Sequence, residues 1–264
     1  VKNICKTSRG TNFEVYCFVC VAKYIFVTGA LISGLGKGVV TSSIGKNLQI
    51  RGKKINVIKI DPYLNIDAGT MNPFEHGETY VTADGGELDE DFGHYERMLN
   101  IEMCKDQNIT TGQVYLSVIE AERRGDFLGK TVQVIPHITD EIKRRIHKVA
   151  EREKDLDALI VEIGGTTGDI ESQPFLEAIR QLRREMSKKD TLPVLATYIT
   201  EPPHVKDQKT KPTQHAVREL QSMGLSPDII VARGVHPLTQ QAIDKIAMFC
   251  DVPANAVFSL PDLS

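Results

Sequence analysis

Val27-Thr28-Gly29-Ala30-Leu31-Ile32-Ser33-Gly34-Leu35-Gly36-Lys37-Gly38 follows a short β-branched and aromatic run and opens a stretch with helical periodicity. A glycine-rich turn between a strand and a helix lets backbone N–H groups face inward around phosphate oxygens. The helix N-terminus adds partial positive charge, and Lys37 can reach β- and γ-phosphates from there. The segment departs from the G-x-x-x-x-G-K-[ST] pattern at two places. Leu31 stands where the first glycine is expected, and Gly38 replaces the hydroxyl residue that usually ligates magnesium. A cation bound here must find its oxygen ligands elsewhere, and carboxylates are the natural hard donors.

Outward from this loop, apolar runs alternate with helical stretches. Strands are predicted at 24–28, 55–60, 158–163, 193–199, 229–232 and 256–260, and helices at 38–50, 112–120, 139–153, 174–186, 214–223 and 239–249. Gly52 suits a left-handed cap after the first helix. The alternation predicts an α/β fold of the Rossmann-like P-loop NTPase type, with a mainly parallel sheet flanked by helices. Between Asp61 and Gln107 the periodicity fails and Gly, Asp and Glu dominate; an irregular stretch of that length points to function. Residues 1–22 read as an N-terminal extension outside the fold, and 23–264 as the domain.

The chain has 264 residues, 41% hydrophobic and 25% charged, with a formal charge of −3. That balance gives no global positive field for nucleic acid or anionic lipid, so anionic ligands must be held by local clusters. No run of about 18 apolar residues exists, so no membrane span is expected. Five cysteines in a chain of this size favour a reducing, cytoplasmic setting. Cys17 and Cys20 have C-x-x-C spacing without the second pair that a zinc site needs. Cys250 reads as a small buried hydrophobe.

Two carboxylates are candidate magnesium ligands: Asp91, in the acidic stretch Asp84–Asp91, and Glu162, inside the apolar strand Leu159–Ile163. A carboxylate in a buried strand needs a partner, and a metal competes with a structural ion pair for that role. For Asp91 alone the competing reading is a solvated charge run. Lys59 ends the second strand, at the edge where open α/β sheets bind ligands, and a lysine there can neutralise a transferring phosphoryl group; a plain surface lysine is the alternative. Lys209-Thr210-Lys211-Pro212-Thr213-Gln214 precedes a helix that Thr213 is expected to cap, which makes a second anion site. A solvated basic turn is the competing reading. His76 is a candidate for proton transfer near neutrality.

Together these segments resemble the synthetase (amidoligase) domain of the CTP synthase family. The resemblance runs from Lys23 to Asp262 and rests on Ser33–Gly38, Lys59–Asp67, Gly93–Arg97, Gly129–Thr139, Glu162–Ser172 and Lys209–Gln214. It implies a two-step ligase reaction: ATP phosphorylates O4 of UTP, and ammonia then displaces phosphate at C4 to give CTP. It assigns Gly34, Leu35, Gly36, Lys37, Gly38 and Val39 to the ATP phosphates, with Lys37 and Lys59 facing the transferred group. Pro261, Asp262 and Leu263 fall near the adenine. Asp91 and Glu162 match the Mg2+ ligands, with Asp91 also touching ATP. Ser33, Lys209–Gln214 and Lys245 match the UTP site, and Asp169, Ile170 and Glu171 match residues that recognise the inhibitory product CTP. Homodimers to homotetramers are implied.

Ala30 replaces a glycine usual in the family and requires negative φ, and Pro261 stands where a lysine is common. The family's glutamine amidotransferase domain, through which glutamine and GTP act, is not represented in 1–264. The stretch is therefore expected to use free ammonia or to be inactive alone. The rival enzyme reading is another ATP-dependent ligase of this loop class, such as a dethiobiotin synthetase relative. The rival from outside catalysis is a nucleotide-responsive assembly module.

Overall fold

The central strands are near-continuous apolar runs buried on both faces, with successive side chains entering opposite layers, whereas most of the helices bury one stripe. The computed structural model describes residues 22–30, 32, 34–202, 204 and 207–262. Ser33, Leu263, Leu31, Cys17 and Cys20 lie outside the described residues. Ala22, placed with the N-terminal extension by the sequence reading, is buried in the core.

The elements in order are β1 (Lys23–Gly29), α1 (Lys37–Ile50), β2 (Ile55–Asp61), α2 (Pro73–His76), β3 (Tyr80–Val81), β4 (Glu87–Leu88) and α3 (Asp91–Leu99). Then come β5 (Asn108–Thr110), α4 (Thr111–Arg124), α5 (Thr139–Arg152), β6 (Ala158–Ile163), α6 (Gln173–Glu185) and β7 (Thr191–Tyr198). The described chain ends with α7 (Lys211–Ser222), β8 (Ile229–Gly234), α8 (Gln240–Cys250) and β9 (Val257–Pro261). Seven strands form one sheet in the order β5-β2-β6-β1-β7-β8-β9, and every pairing in it is parallel. The sheet is the α/β, Rossmann-like arrangement that the alternation predicts. β3 and β4 pair separately and antiparallel.

Alternation along the central strands splits the core. Tyr24, Phe26, Ile58, Ile60, Leu159 and Val161 face helices α4 to α8, whereas Ile25, Val27, Val57, Ile160 and Val194 face α1 and α3. Each fully buried side chain of this kind contributes about 1.5–3 kcal/mol. The same period places Lys59 and Glu162 on the α1/α3 face, because their neighbours in register, Val57 with Ile160 two residues back, lie there.

Three expectations change. The stretch 61–107 is not irregular throughout: it holds α2, the β3–β4 hairpin and α3. Phe92, Tyr95 and Leu99 of α3 are buried against the sheet face that α1 also covers. Asp91 is accordingly the first residue of a helix and not part of a solvated loop. Finally, α7 begins at Lys211, so Thr213 lies inside the helix and does not cap it; its hydroxyl meets Thr197 Oγ1 at 2.9 Å. Ala30 behaves as required, since positive φ among described non-glycine residues occurs at Asn100, Leu128, Asp155 and Asp251. Gly52 takes the left-handed conformation, with φ 74°. Cys250 is buried, and burial pushes its thiol up to about 11.

Candidate functional site

Ligands of open parallel sheets sit beyond the carboxyl ends of the strands, near the point where the strand order reverses. Here β1 is flanked by β6 on one side and β7 on the other. Gly34 and Gly36 both have positive φ, 73° and 80°, and turn the chain after β1 into α1. The first N–H groups of α1 have no partner within the helix and carry its positive end.

Lys37, the first residue of α1, folds back across Gly29. A Cβ at Gly29 would stand 3.0 Å from both Cδ and Nζ of Lys37, so only glycine leaves that path open. Lys37 Nζ donates to Gly165 O at 2.9 Å. Its charge is met by a carbonyl and by no carboxylate in contact among the described residues. Burial pushes the ammonium below its ordinary 10.5, with Glu162 pulling it back. The loop after β6 is fixed from both sides, by Thr167 N to Gly29 O at 2.9 Å and Gly164 N to Ile60 O at 2.7 Å.

Lys59 is in register with Glu162 across β2 and β6, and Val27 is in register with the same Glu162 on β1. Its ammonium contacts Asp91 Oδ2 at 2.6 Å, Asp89 Oδ1 at 2.9 Å and Asp61 Oδ1 at 3.5 Å. Burial would lower Lys59, but the three carboxylates hold it well above 10.5. Asp91 is pushed upward by burial, yet the Lys59 charge and hydrogen bond bring it below 3.8. Burial raises Asp61, which accepts from Asn108 Nδ2 at 2.8 Å. Glu162 is likewise raised by burial against the pull of Lys59, Tyr95 and Thr41.

Asp91 and Glu162 converge on Gly38. A Cβ there would lie 3.8 Å from Asp91 Oδ1 and 4.0 Å from Glu162 Oε2, so the glycine opens the space that the two carboxyl groups flank. Among the described residues no cluster of three or more His, Cys, Asp or Glu could cage a metal alone. Two carboxylates beside a glycine turn at a helix N-terminus fit Mg2+, an ion that commonly keeps waters and takes the rest of its shell from phosphates.

The remaining predicted residues divide. Leu35 is buried and Val39 exposed at the start of α1. Asp262 accepts from Arg233 Nε at 2.5 Å, and the same guanidinium lies 3.4 Å from Gly34 O, so the end of β9, with Pro261, is tied to the loop. Thr210 and Gln214 are buried and bonded to each other at 3.0 Å, and Gln214 Oε1 has no partner among the described residues. Lys209 pairs with Asp207 at 3.2 Å, and Lys211, beside Pro212, stands 5.5 Å over the Phe249 ring. Lys245 lies one turn before Phe249, on the same face of α8. Asp169 accepts from Thr166 N at 2.6 Å, and Ile170 and Glu171 are exposed. His76 is exposed on α2 and meets Tyr63 edge-on at 6.4 Å; Tyr63 in turn donates to Asp61.

Sequence reading missed Thr41, Asp61, Asp89, Tyr95 and Arg233. The apolar spacing of Phe92, Tyr95 and Leu99 after an acidic start was a usable signal for α3, masked by Gly93 and the helix's shortness. Arg233 had no local signal, since only the sheet order brings the end of β8 near the loop.

Comparison with known proteins places the sequence in a family. Residues 23–264 match the family model described as CTP synthase N-terminus. CTP synthase of Methanosarcina mazei is 57% identical over 240 residues, 91% of this chain and 45% of the relative. That of Pyrococcus furiosus is 57% identical over 243 residues, 92% of this chain and 45% of the relative. That of Halobacterium salinarum is 55% identical over 244 residues, 92% of this chain and 43% of the relative. The chain thus spans a little under half the length of these curated relatives. A glycine turn between β1 and α1, two carboxylates flanking Gly38 and a match across 23–264 lead to one assignment: the chain belongs to the CTP synthase N-terminus family.

Proposed function

We propose that this domain carries out the synthetase chemistry of CTP formation: ATP-dependent phosphorylation of UTP at O4, then displacement of that phosphate by ammonia at C4. The observation that carries the reading is the meeting of Lys37, Asp91 and Glu162 at the N-terminus of α1. Phosphoryl transfer asks mainly for positioning and for charge where charge develops. The N–H groups of Gly34–Val39 cradle the ATP phosphates, and Lys37 leaves the Gly165 carbonyl for the β/γ-phosphates. Arg233 and Asp262 brace the loop. Asp91 and Glu162 hold Mg2+, which when bound screens the charge of the triphosphate.

Lys59 stands between that site and Asp61, Asp89 and Asp91, and contributes positive charge to the transferred group as phosphate enters. UTP binds at Lys209–Gln214 with Ser33 and Lys245, at the carboxyl end of the strand next to β1; Asp169, Ile170 and Glu171 recognise CTP as inhibitor. His76 takes part in proton transfer when ammonia attacks. Dimers to tetramers in the cytoplasm complete the reading, and among the described residues no helix is long and apolar enough to cross a membrane.

The test is an assay with ATP, UTP, Mg2+ and ammonium, read as CTP by chromatography. Formation of CTP, with loss in the Lys37→Ala protein, is the expected result. Folded protein that hydrolyses ATP without forming CTP would overturn the reading.

A further inference from the structure

Glu162 is 3% exposed, and its two oxygens are treated differently. Oε2 accepts from Thr41 Oγ1 at 2.8 Å and from Tyr95 OH at 2.5 Å. Oε1 accepts from no described residue. A carboxylate oxygen offers about two lone-pair sites, so the two hydroxyls occupy those of Oε2, the oxygen nearest Gly38, and Oε1 keeps both of its own.

Both hydroxyls are rigidly held. Thr41 and Tyr95 are each 0% exposed and come from different helices, α1 and α3. The Tyr95 ring packs edge-on against Phe92 at 5.9 Å. Thr41 lies one turn after Lys37 on α1, whereas position 38, where loops of this class carry a hydroxyl that ligates the cation itself, is glycine. A Cβ on Gly38 would stand 3.9 Å from Tyr95 OH. Hydroxyls from Thr41 and Tyr95 thus act on the carboxylate beside that space, in place of a hydroxyl at position 38.

We infer that Thr41 and Tyr95 are positioning residues that restrict Glu162 to one-oxygen ligation of a divalent cation and so favour Mg2+ over Ca2+. Mg2+ demands a small, near-octahedral shell with single-oxygen carboxylate contacts, whereas Ca2+ accepts larger shells in which carboxylates bind through both oxygens. Occupying Oε2 closes the two-oxygen mode. The inference rests on the reading of Asp91 and Glu162 as cation ligands. Outer partners of metal ligands change affinity by about 10–100-fold when removed.

The test compares Mg2+ and Ca2+ binding to the full-length protein with a non-hydrolysable ATP analogue, each ion displacing Mn2+ followed by electron paramagnetic resonance. Tyr95→Phe and Thr41→Val are expected to weaken Mg2+ by about tenfold or more while Ca2+ falls less, narrowing the selectivity ratio. Thr41→Ser is expected to restore it, and affinity for the analogue without metal stays at the wild-type value. Unchanged selectivity in both variants, or equal loss of metal-free nucleotide binding, would overturn the positioning role. If Tyr95→Phe does not fold, the Thr41→Val and Thr41→Ser pair decides. Glu162→Gln with undiminished Mg2+ affinity would instead remove the ligand reading beneath it.

Discussion

The start of α1 presents a half-buried lysine and the carboxyl end of β2 a buried one, and the two are held in opposite electrostatic states. Lys37 is answered by the Gly165 carbonyl and carries a charge that burial disfavours. Lys59 is answered by Asp61, Asp89 and Asp91 and has its charge locked in place. A cation short of counter-charge gains when an anionic ligand arrives, whereas a saturated cation gains only if its carboxylates are drawn elsewhere. Lys37 is therefore the one that stands to gain from an anion, and Lys59 the one that holds the acidic cluster together.

The largest expected effect follows from removing the saturated lysine. Lys59→Met leaves Asp61, Asp89 and Asp91 facing one another without a counter-ion, and urea denaturation should show a loss of about 3–5 kcal/mol. Lys37→Met should leave stability within about 1 kcal/mol of wild type, because it removes a half-buried charge with no carboxylate in contact. Equal losses in the two variants would erase the distinction. Next in size is turnover: Lys37→Ala should lower kcat/KM for ATP by about 100–1000-fold, the range for losing one preorganised electrostatic group, with its melting temperature unchanged.

The pH dependence of stability sharpens the contrast through its sign. Lys37 has a folded pKa below 10.5, so across that window the unfolded chain holds more protons and its contribution to stability rises with pH. Lys59 has a folded pKa above 10.5, so its contribution is complete below 10.5 and is lost as pH climbs above it. Denaturation curves from neutral to alkaline pH should differ from wild type in opposite directions for Lys37→Met and Lys59→Met. Smallest is Arg233→Ala. The Arg233–Asp262 pair is about one-third exposed on each side, so its removal should cost at most about 1 kcal/mol of stability, with a severalfold rise in KM for ATP.

The helices on the α4–α8 side were legible because burial of one stripe writes a period near 3.6 into the sequence, and the central strands because burial on both faces leaves short continuous apolar runs. The helix at 139–152 and the strand at 158–163 were placed to within a residue. Half of the candidate site was legible for a different reason: Gly34, Gly36 and Lys37 owe their placement to local backbone geometry, which adjacent residues encode. Lys59, Asp89, Asp91 and Glu162 meet only through the β2–β6 register and the docking of α3, so no window of sequence contains their relation. Thr213 was misplaced because a Pro at the second helical position hid the earlier start at Lys211.

The most direct test of the whole account is isothermal calorimetry on residues 1–264, titrating ATP with and without Mg2+ and then UTP into the ATP-loaded protein. Two independent, saturable sites are predicted, the first strengthened by Mg2+ and abolished by Lys37→Ala, the second untouched by that change. Mutual displacement of ATP and UTP at a single site, or ATP binding indifferent to both Mg2+ and Lys37, would contradict it.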